Sequence, residues 1–76
     1  MNQIDRNELQ QIVDELTGLR DRIEVKQQEL QERADNVPES FEARREALEN
    51  EADALDDAIA QIDEVTESIE TSMEGA

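Results

Sequence analysis

The chain has no cysteine and no histidine. Without cysteine there is no disulfide framework, no thiolate nucleophile and no cysteine metal site. Without histidine the commonest general base and the commonest transition-metal ligand are missing. Trp and Tyr are absent too, Phe41 is the one aromatic and Pro38 the one proline. Basic residues are scarce: 7 Lys and Arg stand against 22 Asp and Glu, a formal net charge of −15. Like-charge repulsion at that level argues against direct binding to DNA, RNA or anionic membranes and favours basic partners. Long apolar runs are also lacking, since none approaches the roughly 20 residues that span a bilayer. Met1-Asn2-Gln3-Ile4-Asp5 carries neither a basic region nor an apolar signal segment, so a cytoplasmic location is expected.

What is present is periodicity, and it separates this composition from a disordered one. Leu9, Leu16, Ile23 and Leu30 recur every seven residues, with Ile12 and Leu19 three residues after the first two. Such spacing places them on one stripe of a helix. Lys26 and Arg33 continue the second row as charged residues, so the stripe narrows. Asp5 with Glu8 three residues on has a capping-box spacing, and Ile4 with Leu9 has that of a hydrophobic staple. Gly18 lies inside this helix; it is either a tolerated weak point costing about 1 kcal/mol or the site of a close helix–helix approach.

Asp35-Asn36-Val37-Pro38-Glu39-Ser40 interrupts the pattern. Proline disfavours helix at the residue before it and suits the first turn of a new one. Beyond it Phe41, Leu48, Leu55, Ile62 and Ile69 form a second seven-residue row, with Ala52, Ile59 and Met73 in an adjoining row that Thr66 completes. The expected organisation is one domain over 1–76: a helix at about 5–34, a turn at about 35–39, a helix at about 39–73 and a frayed tail at 74–76. The fold class is all-α, an antiparallel two-helix hairpin with coiled-coil-like packing. A core this small needs supplementing, and association is the remaining means. The expectation is therefore a homodimeric four-helix bundle. Its self-association core would be Leu9, Ile12, Leu16, Leu19, Ile23, Leu30, Phe41, Leu48, Leu55, Ile59, Ile62 and Ile69. A single hairpin docking onto a partner's helices is the alternative.

Asn36-Val37-Pro38-Glu39-Ser40 followed by an acidic Ala/Leu/Ile helix resembles a recurring pattern in small uncharacterised acidic helical-hairpin proteins of phages and bacteria. The resemblance covers residues 36 to about 70. It implies a helical hairpin of phage or bacterial source, in the host cytoplasm if phage-encoded, and brings no site with it.

Charge is uneven along the chain. Residues 46–76 contain 11 acids and no base, whereas residues 1–45 contain 11 acids and all 7 bases. Folding about Val37 would set residues opposite each other when their numbers sum to about 75. Arg33 would then face Glu42, Lys26 would face Glu49, and Arg20 would lie near Asp56. The open end of the hairpin would be a negative pole with Arg6 as its one base.

No catalytic constellation stands out. Ser40, Ser68 and Ser72 have no histidine to activate them, and paired carboxylates such as Asp56 and Asp57 need a desolvated cleft that two helices do not provide. Asp53-Ala54-Leu55-Asp56-Asp57 lacks the glycine of a calcium loop. The chain has the length of a type VII helical-hairpin secretion substrate but not the Trp-x-Gly turn. The expectation is a protein that is not an enzyme and needs no cofactor or metal. It would bind a basic protein surface, in particular that of a nucleic-acid-binding protein, through Asp56, Asp57, Asp63, Glu64, Glu67 and Glu70. The 11 acids of the last 31 residues average one per roughly 4.2 Å of helix. Duplex DNA has one charge per about 1.7 Å, and two such helices side by side would approach it. An inhibitor that mimics nucleic-acid charge is thus one reading; an assembly module that binds through its apolar stripe, with acids for solubility, is the other.

Overall fold

A computed structural model describes residues 1–75. Helix α1 runs Gln3–Asp35, a single 3₁₀ turn covers Glu39–Phe41, and helix α2 runs Glu42–Glu74. The two α-helices lie against each other as an antiparallel hairpin, a rod measuring 59 × 16 × 10 Å. The domain limits expected from sequence enclose this hairpin, and Ala76 at the end of the expected tail lies outside the described residues.

The start of α1 differs from the expected cap. Asn2 is the N-cap: its backbone is extended, and its Oδ1 accepts a hydrogen bond from the Asp5 amide at 2.8 Å. Asp5 thus occupies the third helical position and adds negative charge to the first turn, where the helix dipole favours it. Asn and Asp are equally good caps, and Asn2 comes first in the chain. The helix ends at Asn36, whose amide donates to the carbonyls of Glu32 and Arg33 at 3.1 and 3.2 Å. Pro38 then holds an extended backbone (φ −59°, ψ 148°), which ends the α-helical path. The Phe41 amide donates to the Pro38 carbonyl at 2.9 Å to close the 3₁₀ turn.

That turn moves the register. Because α2 begins at Glu42 rather than near residue 39, the hairpin pivots further along the chain than Val37. Leu9 shares a groove with Ile69, and Leu16 and Ile23 share a second with Leu55 and Ile62; pairing Leu9 with Ile69, Leu16 with Ile62 and Ile23 with Leu55 gives sums of 78, and the Arg20–Asp63 ion pair gives 83, all above 75. The expected pairs of Arg33 with Glu42 and Lys26 with Glu49 do not form among the described residues. Lys26 bonds Glu29 on its own helix at 2.8 Å, and Arg20 reaches Asp63, about two turns beyond Asp56, at 3.3 Å.

The buried core is small and consists of Val13, Ala34, Val37, Ala52 and Ile59. Ala52 and Ile59 belong to the row expected to pack, with Thr66 and Met73 of the same row half-buried. On α1 the second packed row lies four residues after the leucines rather than three: Arg6, Val13, Arg20, Gln27 and Ala34. Three of these are polar, so a count of apolar residues passes over the row. Leu9, Leu16, Ile23, Leu30, Leu48, Leu55, Ile62 and Ile69 are half-buried along the seam. Ile12 and Leu19 are 43% and 48% exposed, and Phe41, placed in the 3₁₀ turn instead of α2, is 59% exposed. These three do not pack within the hairpin.

Val37 is the one buried residue of the connection, and its carbonyl accepts from Arg45 Nη2 at 2.7 Å. This bond ties the first turn of α2 to the link. A Cβ placed on Gly18 would meet nothing within 4 Å, so Gly18 marks no close helix approach. No helix among the described residues is long and apolar enough to cross a membrane.

Candidate protein-interaction site

Helix α2 turns its apolar rows toward α1 and leaves the rest of its circumference to charge. Asp56, Asp57, Asp63, Glu64, Glu67 and Glu70 are all exposed. They do not share one flat face. Asp56, Asp63 and Glu70 follow the seam residues Leu55, Ile62 and Ile69 by one position, which sets them on the flank that faces the arginines of α1. Glu70 lines a groove there with Gln3, Arg6 and Gln10. Glu64 is on the other flank, in a groove with Leu9, Val65 and Ile69, and also borders Glu67, Ser68 and Thr71. The six carboxylates therefore wrap the outward arc of α2 over its last two-thirds.

They differ in how far α1 compensates them. Arg20 donates from Nε to Asp63 Oδ1 at 3.3 Å and from Nη1 to Glu24, four residues along its own helix. Desolvation against the helix pair opposes the guanidinium charge, but Glu24 and then Asp63 outweigh it, and the Arg20 pKa is raised. Asp63 thus already serves the hairpin. Asp56, Asp57, Glu64 and Glu67 have no ion-pair partner among the described residues.

The opposite flank of the hairpin is mainly apolar. Leu16, Leu19, Ile23, Leu55 and Ile62 line one shallow open groove together with Arg22 and Lys26, and Leu16, Ala58, Ile62 and Val65 line the next. Val65 is 50% exposed. Sequence reasoning passed over Val65 and Ala58 because both fall outside the main rows. The signal was there, since Val65 stands three after Ile62 and four before Ile69, on the same helical stripe.

No protein-family model, curated protein or solved structure matches this chain. Its own geometry therefore supplies the two candidate surfaces, an acidic arc on α2 and an apolar flank spanning both helices. Among the described residues no three metal-ligating side chains converge. The grooves are open and hold no desolvated pair of carboxylates.

Proposed function

We propose that this hairpin is a non-enzymatic protein-interaction module, a phage-type inhibitor whose acidic α2 surface occupies a basic nucleic-acid-binding site on a target protein. The observation that carries this is the run of unpaired carboxylates at Asp56, Asp57, Glu64 and Glu67 on the outward arc of a straight rod. Like charges on neighbouring helical turns destabilise a helix. Solubility alone is met by a net charge of about 2–8 in magnitude with both signs interspersed, and this chain carries −15. At roughly 4.2 Å per charge, α2 is close to one phosphate strand at about 3.4 Å per charge. Low sensitivity to target sequence follows, since such charge tracks complement Lys and Arg in a groove rather than base-reading groups.

The apolar flank supports a second part of the proposal. Ile12, Leu19 and Val65 are too exposed to be accounted for by the hairpin alone. Pairing two hairpins into a four-helix bundle covers them and enlarges a core that is otherwise five residues. In the alternative reading the same flank docks onto a partner's helices and the acids only solubilise.

The test uses an immobilised hairpin and a bacterial lysate. The wild type should retain nucleic-acid-binding proteins that free DNA displaces. Asp57→Lys, Glu64→Lys and Glu67→Lys combined should lose them while circular dichroism stays helical. Retention unchanged in that variant, but lost in Leu19→Asp, would replace charge mimicry with the assembly module.

A further inference from the structure

Resting on the reading that the hairpin pairs with its own copy, the geometry points to one arrangement of that pair: the two connections lie at the same end, and α1 of each copy packs on α2 of the other. The outer rows that border the seam on the apolar flank decide between the arrangements. On α1 this row is Asp5, Ile12, Leu19, Lys26 and Arg33; on α2 it is Arg44, Glu51, Ala58, Val65 and Ser72. Both rows border the grooves along that flank, through Leu19 and Lys26 in one and Ala58 and Val65 in the other. The register seen in Leu16 with Ile62 and Ile23 with Leu55 sets the levels. Ile12 is level with Val65, Leu19 with Ala58, Lys26 with Glu51, and Arg33 with Arg44.

A two-fold pair stacked on this flank has two choices, because the interface must be self-complementary. With the axis along the rod, α1 meets the other copy's α2 at the same level. Ile12 then covers Val65, Leu19 covers Ala58, and Lys26 meets Glu51. Only Arg33 against Arg44 is unfavourable, at the solvated turn end. With the axis across the rod at mid-length, where the two rods overlap fully, each helix meets itself reversed about its midpoint. Leu19 then meets Leu19 and Asp5 gains Arg33, but Ile12 is covered by Lys26 and Val65 by Glu51. That choice leaves both exposed aliphatic residues against charges. The first choice matches Ile12 with Val65 and Leu19 with Ala58, and sets Asp5 against Ser72 at the open tip.

The cost of the first choice is that two acidic open ends meet. Asp5 stands in the interface row itself; the other acids of that end lie outside the two rows, and salt at physiological strength screens charges more than about 8 Å apart. Apolar burial is not screened, so it decides the topology, and association should strengthen as salt rises. A consequence follows for the acidic surface. The two α2 helices occupy diagonal corners of the bundle, so their carboxylate arcs point to opposite sides. Each pair then offers two separate single-strand-like charge tracks, not one duplex-like face.

The chain has no cysteine, so Ser40→Cys, in the exposed 3₁₀ turn, takes a single spin label. Sedimentation of the labelled protein gives its mass, and electron–electron dipolar spectroscopy gives the label separation. The expected result is a two-chain mass with labels within about 30 Å, two or three interhelical spacings of 8–10 Å plus the linkers. A two-chain mass with labels separated by most of the 59 Å rod overturns the topology and leaves the pairing standing. A one-chain mass at every concentration overturns both. As a second measurement, oxidation of mixed Ile12→Cys and Val65→Cys chains should give a mixed covalent pair, while Leu19→Cys alone should give none. The reverse pattern would contradict the arrangement.

Discussion

Arg20 Nε lies 3.3 Å from Asp63 Oδ1, and this is the one ion pair that crosses between the helices among the described residues. It crosses the seam obliquely near mid-rod and links the candidate site to the fold. Asp63→Ala should therefore lower the melting temperature as well as target binding, whereas Glu67→Ala should lower binding alone. A double-mutant cycle between Arg20→Ala and Asp63→Ala, read by thermal melting, should show favourable coupling that shrinks in salt. Zero coupling at low salt would mean the pair contributes nothing.

Ile59→Ala should be the most damaging single change in the hairpin, because Ile59 is the largest of the five buried side chains. Deleting a buried aliphatic side chain costs about 2–5 kcal/mol, with the lower end suited to a thin two-helix core. Ile12→Ala, at an exposed position, should leave the helical content unchanged and weaken association instead. Chemical denaturation at two protein concentrations separates these effects.

Gly18→Ala should stabilise by about 1 kcal/mol. The site is open and Gly18 does not use a positive φ, so an added methyl meets no clash. Loss of stability on this substitution would show that Gly18 contacts something outside the single hairpin.

Glu29 gives the pH dependence a definite sign. Its carboxyl is held below the ordinary glutamate range by the Lys26 hydrogen bond and then by the charge of Lys26, with burial opposing and Arg33 adding a smaller pull. A depressed folded-state value contributes stability above the unfolded value, and that contribution is lost as pH falls through the folded value. Carboxyl NMR titration should place Glu29 below the ordinary glutamate range, and Lys26→Ala should raise it.

With a net charge of −15, the fold as a whole should respond to salt. Raising NaCl from about 10 mM to about 300 mM shortens the screening length several-fold and should raise the melting temperature. A fall would mean that attractive pairs such as Arg20–Asp63 outweigh the repulsion.

The two helices and the break at Pro38 were legible because seven-residue apolar spacing and proline sterics act locally. The packed row of Val13 and Ala34 was not, since the polar Arg6, Arg20 and Gln27 share it, half-buried through their long side chains. The register was displaced for a related reason: a three-residue 3₁₀ turn leaves no apolar signature, yet it delays α2 to Glu42 and shifts its residues along α1. The acidic residues of the candidate site could be read directly from the sequence. That Asp63 is held by Arg20 while Glu67 is free depended on the register and so required the structure.

The central claim is that the acidic arc of α2 and a nucleic acid compete for one surface. A DNA- or RNA-binding protein recovered on the immobilised hairpin, mixed with its labelled nucleic acid and titrated with free hairpin, tests this by electrophoretic mobility. Charge mimicry predicts that the shifted band returns to free nucleic acid as hairpin is added, and that the Asp57→Lys, Glu64→Lys, Glu67→Lys variant fails to release it. A further-retarded band containing hairpin, target and nucleic acid together would contradict the claim.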